Sequence, residues 1–358
     1  MKVGMLTSGG DCQGLNAALR GVAKTLYNEL GSTVTIYGIR DGYRGLIEKD
    51  YHIMHPEDFS DILTRGGTIL GTSRQPFKEM QKAAEDSEET KLQKMLRTVE
   101  QEGFDCLVIL GGNGTHKTAN LLSEHGVNVV TLPKTIDNDL WGTEMTFGFQ
   151  SAMDIATAVI DSIHSTAFSH SRVFIVEIMG HKAGWLTLYA GIASGADVIV
   201  IPEIPYSAEK IAEAIRRRQE SGKQFSILAV AEGAISQAEA KMSKKEFKNT
   251  RTAMAYPSVS YRMADELRSL TGQEIRVTIP GHYQRGGIPC AADRVLTSRF
   301  GVAAAELIRE KKFGYMVALQ NDQVVPVPLK EVAGKLKTVP PDCELVKAAR
   351  ALGLSMGD

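Results

Sequence analysis

One alternation recurs along this chain and restricts its fold more than any other feature. A short apolar run leads into a glycine-bearing turn, and an amphipathic stretch follows. The run KVGMLTS (2–8) breaks at GGDCQG and continues as LNAALRGVAKTLYNEL (15–30), whose apolar residues recur at helical spacing. STVTIYGI (32–39) reads as the next strand. FDCLVIL (104–110) leads through GGNGT into HKTANLLSEHG (116–126), and VNVVTL (127–132) leads into PKTIDND. Strands this short and this continuously apolar are covered on both faces, as in a parallel sheet whose crossovers are helices.

The second half has the same style. RVFIVEIMG (172–180) precedes a helix starting near Ala183. ADVIVIPEIPY (196–206) precedes SAEKIAEAIRRRQESG (207–222), in which Ser207 can cap and Gly222 can stop the helix. FSILAVAEGA (225–234) is a further strand. With 358 residues, two domains are expected. The reading is α/β, with two Rossmann-like parallel-sheet domains and the active site in the cleft between them. Segments after Arg285 are expected to return to the first sheet. The larger domain is then 1–148 plus about 284–334, and the smaller 149–283 plus about 335–358. The lysine-rich stretch 236–255 reads as an exposed excursion.

Composition excludes several functions. A formal net charge of −1 gives no reason to expect nucleic acid or an acidic membrane as partner. Aromatic residues make up 6%, too few for a base-stacking surface. Cys12, Cys106, Cys290 and Cys343 form no C-x-x-C pair, which argues against a zinc site or disulfide scaffold and fits a reducing, cytoplasmic setting. The apolar run at the N-terminus is too short for a signal sequence, and no run of about 18 apolar residues could span a membrane.

In an open parallel sheet, ligands sit beyond the carboxyl ends of the strands. Three strands of the first half end there in unusual loops, at 8–14, 111–115 and 133–139. Glycines in the first two allow close backbone approach to a phosphate, and the following helix N-termini offer free N–H groups. Neither loop has the spacing of a Walker A or dinucleotide motif. The third supplies acid: one carboxylate can take a hydroxyl proton and another can serve Mg²⁺. Read structurally instead, TIDND is an Asx-rich turn. The candidate cations are Arg74, Arg172, Arg276 and, crowded by glycines, His282 and Arg285. Glu232 ends an apolar strand, and Met179 lies beside Gly180.

The runs TSGGDCQGLNAALRG, RGGTILGTSR, LGGNGT, PKTIDNDL, IMGHKAGW, AEGA and PGHYQRGG stand in the order of the phosphofructokinase family, which the chain resembles over residues 1–310. The resemblance implies phosphoryl transfer to the 1-hydroxyl of fructose 6-phosphate, with Mg²⁺ as cofactor. It also implies a homotetramer or homodimer with shared active sites. The larger domain would bind the phosphoryl donor and the smaller one the sugar phosphate. By the same resemblance, Asp137 is the general base, Thr135 contacts the transferring group, and Asp139 supports the loop and the metal environment. Gly10, Arg74, Gly112, Gly114 and Thr115 hold the donor. Met179, Gly180, Glu232, Arg276, His282 and Arg285 hold fructose 6-phosphate, and Arg172 and Arg276 reach its 6-phosphate from a neighbouring subunit.

Members that use pyrophosphate typically carry Asp where Gly114 stands and Lys where Lys134 stands. Gly114 leaves room for a nucleotide's α-phosphate, so ATP is the expected donor and pyrophosphate the alternative. Asn113, a weak metal-ligand candidate, occupies a position where ATP-using members commonly have an acid. His181 stands where an arginine commonly stabilises the transferring phosphoryl group. These departures imply a lower rate or an altered donor or acceptor preference. They also admit a non-catalytic sugar-phosphate-binding relative as the third reading.

Overall fold

The structure is a computed structural model and describes residues 1–85, 87–255 and 258–358. The chain divides into two compact units. The first comprises Met1–Ser151 and Arg285–Lys337, the second Ala152–Gln284 and Thr338–Asp358. In chain order the strands are β1 (Lys2–Ser8), β2 (Thr35–Ile39), β3 (Tyr51–Met54), β4 (Cys106–Gly111), β5 (Val129–Pro133) and β6 (Val173–Ile178). They continue with β7 (Val198–Val200), β8 (Ser226–Ala231), β9 (Ile275–Thr278), β10 (Tyr315–Gln320) and β11 (Gln323–Pro328).

The first unit holds a seven-stranded sheet of order β11-β10-β5-β4-β1-β2-β3. Its five central strands run parallel, while β3 and β11 return antiparallel at the two edges. The continuous apolar runs follow from this layering: β4 and β5 are buried at every position, because helices cover both faces. Strands β10 and β11 come from the segment after Arg285, so the chain does return to the first sheet. Helices Leu15–Leu30 and Ala291–Arg309 meet through glycine. A Cβ built on Gly301 would stand 2.7 Å from the backbone of Gly21, so neither position has space for a side chain.

The second unit holds a four-stranded sheet, β7-β8-β6-β9, in which every pairing is parallel. Ser207 caps helix Ala208–Glu220, accepting from Lys210 N at 3.2 Å, and Gly222 lies at φ 84 just past its end. The apolar run 196–206 yields a strand of only three residues, because Pro202 and Pro205 cannot continue the ladder.

Stretch 236–255 is more ordered than its composition suggests. It forms helices Gln237–Ala240 and Lys244–Thr252, each opened by a serine–glutamate capping box. Within it Glu239 is buried, pairs with Arg251 and Arg262, and accepts Arg251 Nη2 at 3.1 Å and Arg262 Nη1 at 2.7 Å. Burial works to raise the Glu239 carboxyl, but hydrogen bonds from Arg262 and the Ser236 backbone, with the charge of Arg251, outweigh it. The carboxyl falls to about 2.

Candidate active site

Strands β5, β4 and β1 are adjacent and parallel, so their carboxyl ends place three loops side by side in the first unit. After β1, Gly9 and Gly14 both adopt φ +90, which a side chain would strain, and helix Leu15–Leu30 begins at once. Gly9 N donates to Ser73 O at 3.0 Å, and Thr72 Oγ1 donates to Gly9 O at 2.7 Å. The segment carrying Arg74 is thereby tied to the glycine loop, with Arg74 itself exposed.

After β4, helix Asn113–Glu124 starts directly behind Gly112. Gly111 is required by packing: its Cβ would lie 2.3 Å from the Thr115 side chain. Thr115 Oγ1 donates back to Ser8 O at 3.4 Å, linking the first two loops. At Gly114 the outcome is opposite. No atom lies within 4 Å of a Cβ built there, so the helix N-terminus is open at that point. His116 is buried, and its Nδ1 lies 2.9 Å from Gly112 O. Burial pushes its imidazole down to about 4, so it is neutral near pH 7.

The acidic loop after β5 is held by its own polar residues. Lys134 is buried, and its ammonium donates to the Gly10 carbonyl. Burial lowers the Lys134 pKa, and the charge of Arg285 adds to that. The Arg285 guanidinium stacks where a Gly10 side chain would be, 2.7 Å from the built Cβ. Asp137 N donates to Thr135 Oγ1 at 3.0 Å. Asn138 stands at φ 50, a conformation asparagine tolerates better than most residues. Its Oδ1 accepts Thr146 N at 3.0 Å, and its Nδ2 donates to Glu144 O at 3.2 Å. No helix starts at the aspartates. Burial raises the Asp139 carboxyl, while Lys134 and Lys337 pull it down.

The second unit gathers a different set. Glu232 stands one residue beyond β8, and its Oε1 accepts His181 N at 2.8 Å and Gly180 N at 3.3 Å. Gly180 lies at φ +146 and His181 at φ 50. Met179 N donates to Oε1 of buried Gln284 at 3.3 Å. Arg172 and Arg276 sit on one carboxylate. Arg172 Nε donates to Glu274 Oε2 at 2.5 Å, and Arg276 pairs with Glu274 Oε1. His282 is exposed on the short turn Gly281–Arg285. The run PGHYQRGG is thus divided: His282 belongs to the second unit, and Arg285 to the first, beside Gly10.

Four residues of this framework were not singled out in the sequence: Gln284, inside PGHYQRGG, and Glu274, Glu203 and Lys337, outside any of the quoted runs. Glu203 accepts Gly184 N at 3.0 Å and Val339 N at 2.9 Å. Lys337 Nζ donates to Asn138 Oδ1 at 2.9 Å and to Thr143 O and Glu144 O, each at 2.8 Å. Burial pulls its pKa down to about 8. Their roles come from contacts across long sequence separations, which local pattern does not encode.

Among the described residues, no group of three or more His, Cys, Asp and Glu side chains could cage a metal.

Comparison with known proteins agrees with this architecture. The Phosphofructokinase family model matches residues 2–308. The ATP-dependent 6-phosphofructokinase of Spirochaeta thermophila is 56% identical over 99% of this chain and 97% of its own. The ATP-dependent 6-phosphofructokinase 3 of Bacteroides thetaiotaomicron is 46% identical over the whole of both. A T-state phosphofructokinase from Pichia pastoris superposes with a TM-score of 0.78 at 32% identity, over 92% of this chain. This chain spans 35% of that longer one. The pyrophosphate-dependent phosphofructokinase of Nitrosospira multiformis shares the fold, with a TM-score of 0.81 at 18% identity over 100% of this chain and 92% of its own. By sequence and by fold, this chain belongs to the phosphofructokinase family.

Proposed function

We propose that this protein is an ATP-dependent 6-phosphofructokinase, which transfers the γ-phosphoryl group of ATP to the 1-hydroxyl of fructose 6-phosphate in glycolysis. The observation that carries the reading is the convergence of two glycine loops and the 133–139 loop at the carboxyl ends of three adjacent strands. The names of the full-length relatives support the same activity.

In this reading Asp137 accepts the proton of the attacking hydroxyl, and Thr135, which orients the Asp137 amide, contacts the transferring group. Gly10, Gly112, Gly114 and Thr115 line the donor's phosphates, with Arg74 beside them. Lys134 and Arg285 supply positive charge at Gly10, where phosphate charge would be placed. Bound Mg²⁺ would neutralise donor phosphate charge. Asp139 and Asn113 Oδ1 are the protein oxygens offered to it. Met179, Gly180, Glu232 and His282 receive the sugar, and Arg172 and Arg276 its 6-phosphate. Their pairing with Glu274 keeps two like charges close together before that phosphate arrives. The assembly would be a homodimer or homotetramer with shared sites, working in the cytoplasm.

Open space at Gly114 favours ATP over pyrophosphate, because no side chain opposes a nucleotide's α-phosphate there. The test is fructose 1,6-bisphosphate formation with ATP or pyrophosphate in parallel. Turnover with ATP, lost in Asp137→Asn by about 10²-fold or more, supports the reading. Turnover with pyrophosphate alone reassigns the donor. No turnover with either, in protein that binds fructose 6-phosphate, makes it a sugar-phosphate sensor.

A further inference from the structure

Residues 335–337 run beside the acidic loop at the last positions of the first unit. Leu336 forms an antiparallel bridge with Leu140, and Lys337 N donates to Asp139 O at 2.8 Å. The segment is fastened at both ends. At one end, the Asn113 side-chain amide donates to the Lys335 carbonyl. At the other, the Lys337 ammonium donates to Asn138 Oδ1, Thr143 O and Glu144 O. Asn113 is the first residue of the donor-loop helix, and Asn138 lies next to Asp137.

We infer that residues 335–337 form a positioning strap that fixes the Asp137 loop relative to the donor loop, with Asn113 and Lys337 as its two fasteners. The inference rests on the functional reading above and adds residues 335–337, which no motif marks. Three features carry it. Lys337 meets three oxygen acceptors, so a single side chain closes both ends of the 138–144 turn. Two of them are backbone carbonyls with fixed directions, which makes the ammonium a spacer and not only a counter-charge. Asn113 is neutral, and the strap explains why that suits this chain: an aspartate there would turn a carboxylate oxygen toward the Lys335 carbonyl instead of a donor. Asn113 is therefore a positioning residue first, whatever its oxygen offers to a metal.

Lys337 touches no reacting group, and Asn113 acts in the strap through its amide nitrogen, not through the oxygen it would offer Mg²⁺. Their loss acts through geometry, and a misplacement of about 1 Å can cost on the order of 10²-fold in rate. The experiment uses the full-length protein with ATP, Mg²⁺ and fructose 6-phosphate. Lys337→Met keeps the stem and removes the donors. It lowers kcat by about tenfold or more, while the KM for fructose 6-phosphate stays within about threefold of wild type. Lys337→Arg recovers part of the loss. Asn113→Asp also lowers kcat, and combining it with Lys337→Met costs less than the product of the two single effects, as expected for two ends of one strap. A folded Lys337→Met protein with kcat within about twofold of wild type would overturn the inference, as would single effects that simply multiply. If Lys337→Met does not fold, Asn113→Asp decides alone by the same twofold criterion. Hydrogen exchange separates the strap from the functional reading. Amides of residues 138–146 exchange faster in the variants whether or not the wild type turns over, and unchanged exchange refutes the strap. A wild type inactive with every donor refutes the activity instead.

Discussion

Glu232 Oε1 accepts the backbone N–H of His181 at 2.8 Å, so one carboxylate fixes the loop that carries this histidine. The same oxygen takes Gly180 N at 3.3 Å. Behind this loop, a Cβ on Gly233 would lie 1.9 Å from the His181 carbonyl oxygen. The loop is thus set by a carboxylate in front and an absent side chain behind. Hydrogen bonds to a charged acceptor are worth about 1.5–3 kcal/mol each. Glu232→Ala should raise the KM for fructose 6-phosphate by about tenfold or more, and Glu232→Gln, which keeps an acceptor oxygen, by less. Gly233→Ala should act similarly without touching any charge. Steady-state kinetics on the three variants checks this, and equal effects from Gln and Ala would count against a role for the acceptor.

Donor choice is tested at Gly114. The position is not at positive φ, and its Cβ direction is open, so Gly114→Asp should fold as the wild type does. An acid in the first turn of helix Asn113–Glu124 even complements the helix dipole. Its charge would oppose the nucleotide phosphates. Turnover with ATP should fall by about tenfold or more at unchanged melting temperature. Assays with ATP and pyrophosphate side by side measure this. Unchanged use of ATP would mean that the open space at Gly114 does not decide the donor.

The buried Glu239 cluster should govern the stability of the second unit. Removing the carboxylate in Glu239→Ala leaves Arg251 and Arg262 without their shared partner, and breaking a buried pair in this way costs about 3 kcal/mol. The carboxyl has a folded value of about 2, below its ordinary 4.5. Its contribution is therefore fully present above pH 4.5 and is lost as pH falls toward 2. Denaturant unfolding of wild type and variant should differ at pH 7 and converge in acid. A difference that persists at pH 2 would refute the linkage.

The sheet interiors and the three loops beyond β1, β4 and β5 were legible because each is a local event. A buried parallel strand must be apolar throughout, and a strand that feeds a helix through a tight turn must spend glycines, as at Gly9 and Gly14. Edge strands β3 and β11 were not legible. Tyr51–Met54 and Gln323–Pro328 are half exposed and lack the continuous apolar run. The order hidden in 236–255 escaped for a related reason: its organising residue is a buried glutamate, whose partners Arg251 and Arg262 lie 12 and 23 positions away. Lys337 is the extreme case. It stands about 200 positions from Asn138, in a segment whose composition gives no sign of a site.

His181 carries the last prediction, because two physical effects oppose each other there. Its backbone lies at φ 50, in the left-handed region, where histidine is more readily accepted than most residues with a side chain. An arginine at the same φ costs more backbone strain, of order 1 kcal/mol. Against this, a guanidinium presents a planar fork of donors that can hold two phosphoryl oxygens at once, whereas an imidazole has only its two ring nitrogens, pointing in different directions. His181→Arg should therefore raise kcat with ATP by about tenfold while lowering the melting temperature by a few degrees. If kcat stays flat while stability drops as expected, the imidazole already serves as well as a guanidinium would, and arginine at this position brings no catalytic gain.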